Sequence, residues 1–160
     1  MTNVGIAKDG KATTVRTIFH RKTSVIIEID APPAIVWGLL TNASDYPRWN
    51  STVTSIDGFI SLGEKIKLKS TLDDKRTFEL EVEEFEPGKK MVWGDGHGKR
   101  VYNIAKSGNG TLTFSMTERI GGLLFPLYAK AIPPFDESFE QFAKDLKKES
   151  ELIMNFKLFH

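Results

Sequence analysis

The chain has 160 residues, of which 40% are hydrophobic and 27% charged, and its formal net charge at pH 7 is +1. This length and composition predict one globular domain with a substantial core. The nearly neutral charge and the lack of a Lys/Arg-rich run disfavour nucleic acid as a partner. The absence of cysteine excludes disulfides, thiolate metal sites and a cysteine nucleophile. No stretch is long and apolar enough to cross a membrane and the first residues lack a signal-peptide pattern, so we expect a cytoplasmic protein without stable membrane insertion.

The first forty residues predict an arm, a strand and a helix that begins at a pair of prolines. We expect residues 1–22 to form an N-terminal arm that is extended in part, over residues 13–19. The β-branched run at residues 25–30 indicates a strand. Pro32–Pro33 then suit the first turn of a helix, because the N–H that proline lacks would have no partner there.

Two alternating runs predict a hairpin with one buried face. Lysines alternate with apolar residues before residues 73–75, and apolar residues alternate with glutamates after them. Folding the chain about these three residues places Lys65 opposite Glu83 and Lys67 opposite Glu81. An exposed ion pair contributes at most about 1 kcal/mol. We therefore interpret the charged face as a solvated outer surface and the apolar face as core.

The remaining chain predicts further antiparallel strands and a long amphipathic helix. Turn signals at residues 86–89, 94–98 and 107–110 separate the strands. The C-terminal stretch has an apolar stripe at helical spacing, formed by Phe135, Phe139, Phe142, Leu146 and Ile153. An antiparallel sheet must bury its apolar face, and this helix is long enough to cover it. We expect an α+β domain over residues 23–154 with six or seven antiparallel strands, followed by a tail at residues 155–160.

The order of these motifs resembles the START-like, helix-grip superfamily (SRPBCC), which includes polyketide cyclases/dehydrases and lipid-transport domains. The resemblance covers residues 23–153 and rests on the proline-initiated helix, Asp-Tyr-Pro-Arg-Trp-Asn at residues 45–50, Pro-Gly at 87–88, Gly-Thr at 110–111, and the Glu-to-Gly-Gly segment at 118–122. It implies a helix-grip (Bet v 1-like) fold. In such a fold a curved antiparallel sheet wraps around a long C-terminal helix and leaves a cavity between them.

Side chains on the inner face of the predicted sheet, and a few beside it, are the candidates for ligand contact. We expect the ligand-binding residues to be Tyr46, Trp93, Arg100, Tyr102, Phe114, Met116, Glu118 and Phe125. Arg100, Tyr102 and Glu118 stand out because an unpaired polar group on an apolar face is costly. They would pair with one another, reach the rim, or orient the polar end of a ligand. We assign no catalytic residue and expect no metal site and no cofactor, because the three histidines are scattered along the chain.

Two segments near the expected cavity mouth allow more than one interpretation. Residues 94–99 lack the spacing of a phosphate-binding loop, so we interpret them as a connection between strands. His97 in this loop is either solvated or acts as a gate or proton carrier. Residues 123–132 either pack on the sheet as a helix or form a lid hinged at Gly121–Gly122 and Pro133–Pro134.

The sequence therefore predicts binding of a hydrophobic small molecule, such as a lipid, quinone, isoprenoid or aromatic polyketide, in an internal cavity. Transport, sequestration and sensing are all compatible with such binding. One alternative is an enzyme of the polyketide cyclase/aromatase or hydrolase type, in which Arg100, Tyr102 or Glu118 polarises a carbonyl or moves a proton. A second alternative is a protein-interaction module of the chaperone-regulator type. We expect a monomer or a weak homodimer.

Overall fold

Eight antiparallel strands form one sheet in the computed structural model, which describes residues 7–108 and 110–159. The strands are β1 (Thr13–Arg16), β2 (His20–Ile29), β3 (Val53–Asp57), β4 (Lys65–Ser70), β5 (Asp73–Glu86), β6 (Lys90–Gly94), β7 (Gly98–Lys106) and β8 (Leu112–Gly121). Their order across the sheet is β1-β2-β8-β7-β6-β5-β4-β3. The expected number of six or seven strands is corrected to eight, because residues 13–16 turn back on β2 and pair with it as a separate edge strand.

The helices are α1 (Pro33–Thr41), α2 (Tyr46–Trp49), α3 (Phe125–Tyr128) and α4 (Asp136–Phe159). As predicted, α1 has a proline in its first turn. The helix α4 has 24 residues and runs through residues 155–159, which we expected to form a tail. Of the helix expected over residues 123–132, only α3 and a 3-10 turn at Ala129–Ala131 form. The following Pro133–Pro134 cannot continue a helix.

The hairpin of β4 and β5 has the predicted faces but a different register. Lys65 pairs with Glu81 instead of Glu83, and the neighbouring pairs shift in the same way. The chain reverses at Thr71–Leu72, so β5 already begins at Asp73, and an irregularity in β4 beside the turn then sets the register. A shift of two residues keeps every side chain on its original face. The charged face therefore remains on the outside of the sheet.

The connection between β7 and β8 lies where the Asn-Gly signal predicts a turn. Lys106 pairs with Leu112 across it. Asn109 itself lies outside the described residues, as do residues 1–6 of the expected arm and His160 of the expected tail.

The beginning of the described chain is attached to α4. The Ala12 N–H donates to a Glu140 carboxylate oxygen at 2.9 Å, and the Thr14 hydroxyl donates to Asp136 at 2.7 Å. Both acidic residues lie in the first two turns of α4. These bonds connect the region that we expected to be an arm to the start of the C-terminal helix.

The centre of the core lies between α4 and the middle of the inner sheet face. Phe142 of α4 is fully buried, and its ring centroid lies 6.2 Å from that of Phe114 and 6.0 Å from that of Tyr102. Tyr46 and Trp49 of α2 contact the same phenylalanine ring from the side, at 6.4 and 5.8 Å. The apolar stripe of α4 thus covers the sheet as the sequence predicts.

Phe142→Ala should lower the free energy of unfolding by about 3–5 kcal/mol, because it opens a cavity among packed aromatic rings. Phe159→Ala is the matched control, since Phe159 is 83% exposed, and it should change the free energy by less than about 0.5 kcal/mol. Urea unfolding followed by circular dichroism measures both. Similar small losses for the two variants would contradict the central role of Phe142 in the core.

Candidate functional site

A cavity of about 430 Å³ lies between one end of the inner sheet face and the chain that connects β8 to α4. The sheet contributes mainly apolar side chains to it, among them Leu68, Phe78, Leu80, Trp93 and Ile120. The opposite wall includes Tyr128, Ile132 and Phe135. An apolar chamber beside the core is the kind of site that holds a small apolar molecule.

An ion pair in the cavity wall lies on a row of cross-strand neighbours. Arg100 of β7 pairs with Glu118 of β8 on one side and with Trp93 of β6 on the other. Arg100 Nε donates to Glu118 Oε1 at 3.0 Å, and the guanidinium lies 4.9 Å from the ring centroid of Phe139. The side chains of Arg100 and Glu118 are only 14% and 17% exposed. Burial opposes the charge of Arg100, but Glu118 and Tyr102 together outweigh burial and raise the pKa of Arg100, which stays charged.

Three of the eight residues that the sequence singled out line the cavity, namely Trp93, Arg100 and Glu118. The other five are at most 4% exposed and are not part of the cavity wall: Tyr46, Tyr102, Phe114, Met116 and Phe125. Tyr102 and Phe114 share the inner sheet face with Trp93, as alternation predicts, but they lie beneath α4. The position of α4 therefore separates core residues from cavity residues on one face of the sheet.

Two residues at the cavity mouth, His97 and Tyr128, were not among the predicted ligand-binding residues. His97, in the turn between β6 and β7, is exposed, and its ring meets the Tyr128 ring edge-on at a centroid distance of 6.0 Å. Asp95 Oδ1 accepts the N–H groups of His97 and Gly98 at 2.7 and 2.9 Å and so shapes this turn. In the sequence, the glycines of this turn and the possible hinges around residues 123–132 already indicated that both segments lie near the cavity mouth. No such signal marked three other lining residues, Leu72, Asp73 and Arg76.

Arg21 of β2 anchors the cavity wall that leads into α4. Its guanidinium donates to the carbonyl oxygens of Ile132 at 3.2 Å and Pro133 at 2.9 Å, and it lies 4.6 Å from the ring centroid of Phe135. Arg21 is 5% exposed, and burial, together with the nearby Arg16, lowers the pKa of its guanidinium. Because β2 is paired on both sides, this anchor fixes the α4 end of the wall. We expect any opening of the cavity to take place at the α3 end.

The two fully buried tyrosines differ in what their hydroxyl groups contact. The Tyr46 hydroxyl donates to the Leu40 carbonyl oxygen at 2.7 Å. Among the described residues, the Tyr102 hydroxyl has no hydrogen-bond partner of standard geometry, although the Arg100 guanidinium lies near it. Burial raises the pKa of both tyrosines, so both keep their protons at neutral pH.

The sequence matches a known family over most of its length. Residues 20–151 match the family described as polyketide cyclase / dehydrase and lipid transport. The chain belongs to this family. The START-like resemblance of the sequence is thereby confirmed. No curated protein matches the sequence significantly.

Solved structures share the fold of this family member. A START superfamily protein from Mycobacterium smegmatis is 14% identical, covers 82% of this chain and 98% of its own, and has a TM-score of 0.61. A protein from Bacillus cereus is 16% identical over 87% of this chain and 98% of its own, with a TM-score of 0.64. A conserved protein of unknown function from Enterococcus faecalis is 12% identical over 88% and 77%, also with a TM-score of 0.64. These similarities confirm the helix-grip fold.

The described residues, 7–108 and 110–159, contain neither a membrane-spanning helix nor a metal-binding cluster. No helix among them has the length and hydropathy needed to span a membrane. No group of three or more histidine, aspartate or glutamate residues among them is arranged to hold a metal ion.

Tyr46→Phe should lower the free energy of unfolding at pH 7 by about 1–2 kcal/mol, because it leaves the buried Leu40 carbonyl without its donor. Tyr102→Phe should change the same quantity by less than about 0.5 kcal/mol, because among the described residues its hydroxyl makes no hydrogen bond of standard geometry. Urea unfolding of the two matched variants tests this difference. Equal losses would contradict the contrast between the two hydroxyl groups.

The folded protein should lose stability as the pH rises above about 10, where tyrosines of the unfolded chain ionise. The folded state keeps Tyr46 and Tyr102 protonated, so it binds more protons than the unfolded state and stability falls with rising pH. Between about pH 9 and pH 11, the Tyr46→Phe/Tyr102→Phe variant should lose less stability than the wild type. Urea midpoints measured across this range give the comparison, and parallel curves for the two proteins would refute it.

Proposed function

We propose that the protein binds a hydrophobic small molecule in the cavity beside α4, for transport, sequestration or sensing. The observation that carries this proposal is the cavity of about 430 Å³ with mostly apolar walls. Ligand pockets commonly have volumes of about 300–1,000 Å³ and a few polar groups in an apolar lining. Burial of apolar ligand surface contributes about 25 cal/mol per Å². Membership in a family described as polyketide cyclase / dehydrase and lipid transport supports the proposal.

The ion pair between Arg100 and Glu118 supports a ligand with a neutral polar end. The pair is neutral as a whole and largely shielded from water. At this pair, an anionic ligand group would have to displace Glu118 from Arg100, and a cationic group would have to displace Arg100 from Glu118. Either exchange leaves a poorly solvated charge without its partner. A hydroxyl or carbonyl group fits without breaking the pair, so we favour a lipid alcohol, isoprenoid, quinone or aromatic polyketide.

Catalysis in the same cavity, of the cyclase, aromatase or hydrolase type, is the second candidate function. The presence of His97 in the cavity wall favours it, because imidazole is a common general acid or base in enzymes. Arg100, by contrast, keeps its proton and can only polarise a ligand carbonyl. The open cavity supports a small-molecule ligand. It gives less support to a protein-interaction module, because such a module needs no internal space.

We propose a cytoplasmic protein that acts as a monomer or weak homodimer. The net charge of +1 supports the view that nucleic acid is not a partner.

Native mass spectrometry of the purified protein, followed by denaturing extraction, tests the proposed ligand binding. We expect a bound apolar mass that is released on denaturation. Leu80→Trp, which fills the cavity, should remove that mass, whereas Leu62→Trp should retain it because Leu62 is 65% exposed and is not part of this cavity.

If the purified protein carries no bound mass, thermal unfolding is measured with a long-chain alcohol, a prenylquinone and an aromatic polyketide. Saturating ligand should raise the melting temperature of the wild type and leave that of Leu80→Trp unchanged, because only the folded state with an open cavity binds it. A protein that carries no apolar mass and responds to none of these compounds would contradict the proposal.

A further inference from the structure

Large apolar side chains lie exposed together at the end of the sheet that holds the cavity. They are 43–87% exposed and belong to the β1–β2 turn and to the segment from β8 through α3; we call this surface the apolar tip, formed by Ile18, Phe19, Leu123, Leu124 and Leu127. The Gly122 N–H donates to the Phe19 carbonyl oxygen at 3.0 Å. A Cβ atom at Gly121 would lie 2.4 Å from the same oxygen, so glycine is needed for this close approach. The two segments thus form one continuous surface.

The helix α3 connects the apolar tip to the cavity. Its Phe125 is buried and its Tyr128 lines the cavity, whereas Leu127 is 83% exposed. The turn that contains His97 is joined to the same corner, because the His97 carbonyl oxygen accepts the Gly121 N–H at 3.1 Å. A surface that covers the apolar tip would therefore lie directly beside the cavity mouth.

Cationic side chains lie in and beside the segments that form the apolar tip. Lys22 of β2 pairs with Arg119 of β8, and Arg119 pairs with Lys99 of β7, so the three form a row across adjacent strands. Arg16 at the end of β1 and Lys130 just after α3 are two further exposed cations. Within the described part of the chain, only Lys99 of these five forms an ion pair, with a glutamate of β5. Positive charge is therefore concentrated here although the net charge of the chain is only +1.

This combination of exposed apolar side chains and cations matches a membrane surface that contains anionic lipids. Leucine and phenylalanine side chains bury apolar area at the boundary of the acyl chains, while lysine and arginine interact with phosphate and carboxylate head groups. A second copy of the chain fits less well, because a two-fold contact through the apolar tip would bring the same cations face to face. We propose that the apolar tip docks reversibly on an anionic membrane surface and holds the cavity mouth against it. This docking goes beyond ligand binding and does not require a ligand in the cavity.

Co-sedimentation with lipid vesicles tests the docking. The probes are vesicles of phosphatidylcholine alone and vesicles of phosphatidylcholine with about one-third phosphatidylserine. The wild-type protein should partition onto the anionic vesicles about tenfold more strongly than onto the neutral ones. Raising the salt concentration to about 0.5 M should weaken this binding, because the head-group attraction is screened.

The apolar contribution is tested with Leu123→Ser/Leu127→Ser. This variant should lower partitioning onto the anionic vesicles about tenfold, and its circular dichroism should match the wild type because both side chains are exposed. Phe59→Ser/Leu62→Ser is the matched control, since these side chains are also 82% and 65% exposed but lie between β3 and β4. The control should bind within about twofold of the wild type.

The charge contribution is tested with Lys22→Gln/Arg119→Gln. Loss of these two cations should lower partitioning onto the anionic vesicles about tenfold and leave the weak binding to neutral vesicles unchanged. Lys65→Gln/Lys67→Gln removes two lysines that face glutamates of β5 on the outer sheet face. This control should retain most of the wild-type binding.

A fluorescent label locates the contact directly, because the chain has no cysteine of its own. The Leu127→Cys variant, labelled with an environment-sensitive dye, should show a blue shift with anionic vesicles, whereas labelled Phe59→Cys should not. Failure of the wild type to sediment with anionic vesicles, or unchanged binding by Leu123→Ser/Leu127→Ser, would overturn the proposal. Ligand binding in the cavity is measured separately by native mass spectrometry, so failure of the docking leaves the proposed function standing.

Discussion

The aromatic side chains of α4, above all Phe139 and Phe142, pack across the middle of an inner sheet face that would otherwise expose Tyr102 and Phe114 to water. Burying this apolar face is the main driving force for the fold, because a one-sided antiparallel sheet is stable only when its apolar side is covered. The sheet is longer than the part that α4 covers, and the cavity lies over the uncovered end. One packing contact thus creates both the core and the space for a ligand.

The ion pair between Arg100 and Glu118 lies at the boundary between the core and the cavity. Arg100 faces Glu118 on the neighbouring strand and the Phe139 ring on α4, so the helix that completes the core also positions the polar group of the cavity. Cross-strand pairing fixes the two backbones at adjacent positions, which limits the movement of the charged groups. The ligand that we propose would therefore meet a preformed polar contact in the cavity wall and would lose little ordering entropy on binding.

The segment from β8 to α4 has two ends with different physical properties. At the α4 end, Arg21 donates two hydrogen bonds to carbonyl oxygens and stacks on Phe135, so this end is held to the sheet. At the α3 end, Leu124 and Leu127 are exposed, while Tyr128, next along the chain, lines the cavity. Apart from the buried Phe125, the large apolar side chains at this end are exposed, and exposed segments open more readily than the core. This asymmetry supports ligand passage beside α3, next to the surface that we propose to meet the membrane.

The sequence by itself determined the local features of this protein. Alternation placed Trp93, Arg100 and Glu118 on the inner face and proline marked the start of α1, because each of these signals is contained in neighbouring residues. The order of several such motifs along the chain indicated the helix-grip family. The tertiary structure decided which residues of the inner sheet face pack against α4 and which line the cavity. The β4–β5 register depends on a turn at residues 71–72, whereas the sequence indicated a turn at residues 73–75. The separation of cavity residues from core residues such as Tyr102 followed the position of α4. That position results from packing between residues far apart in the chain, which no local pattern records.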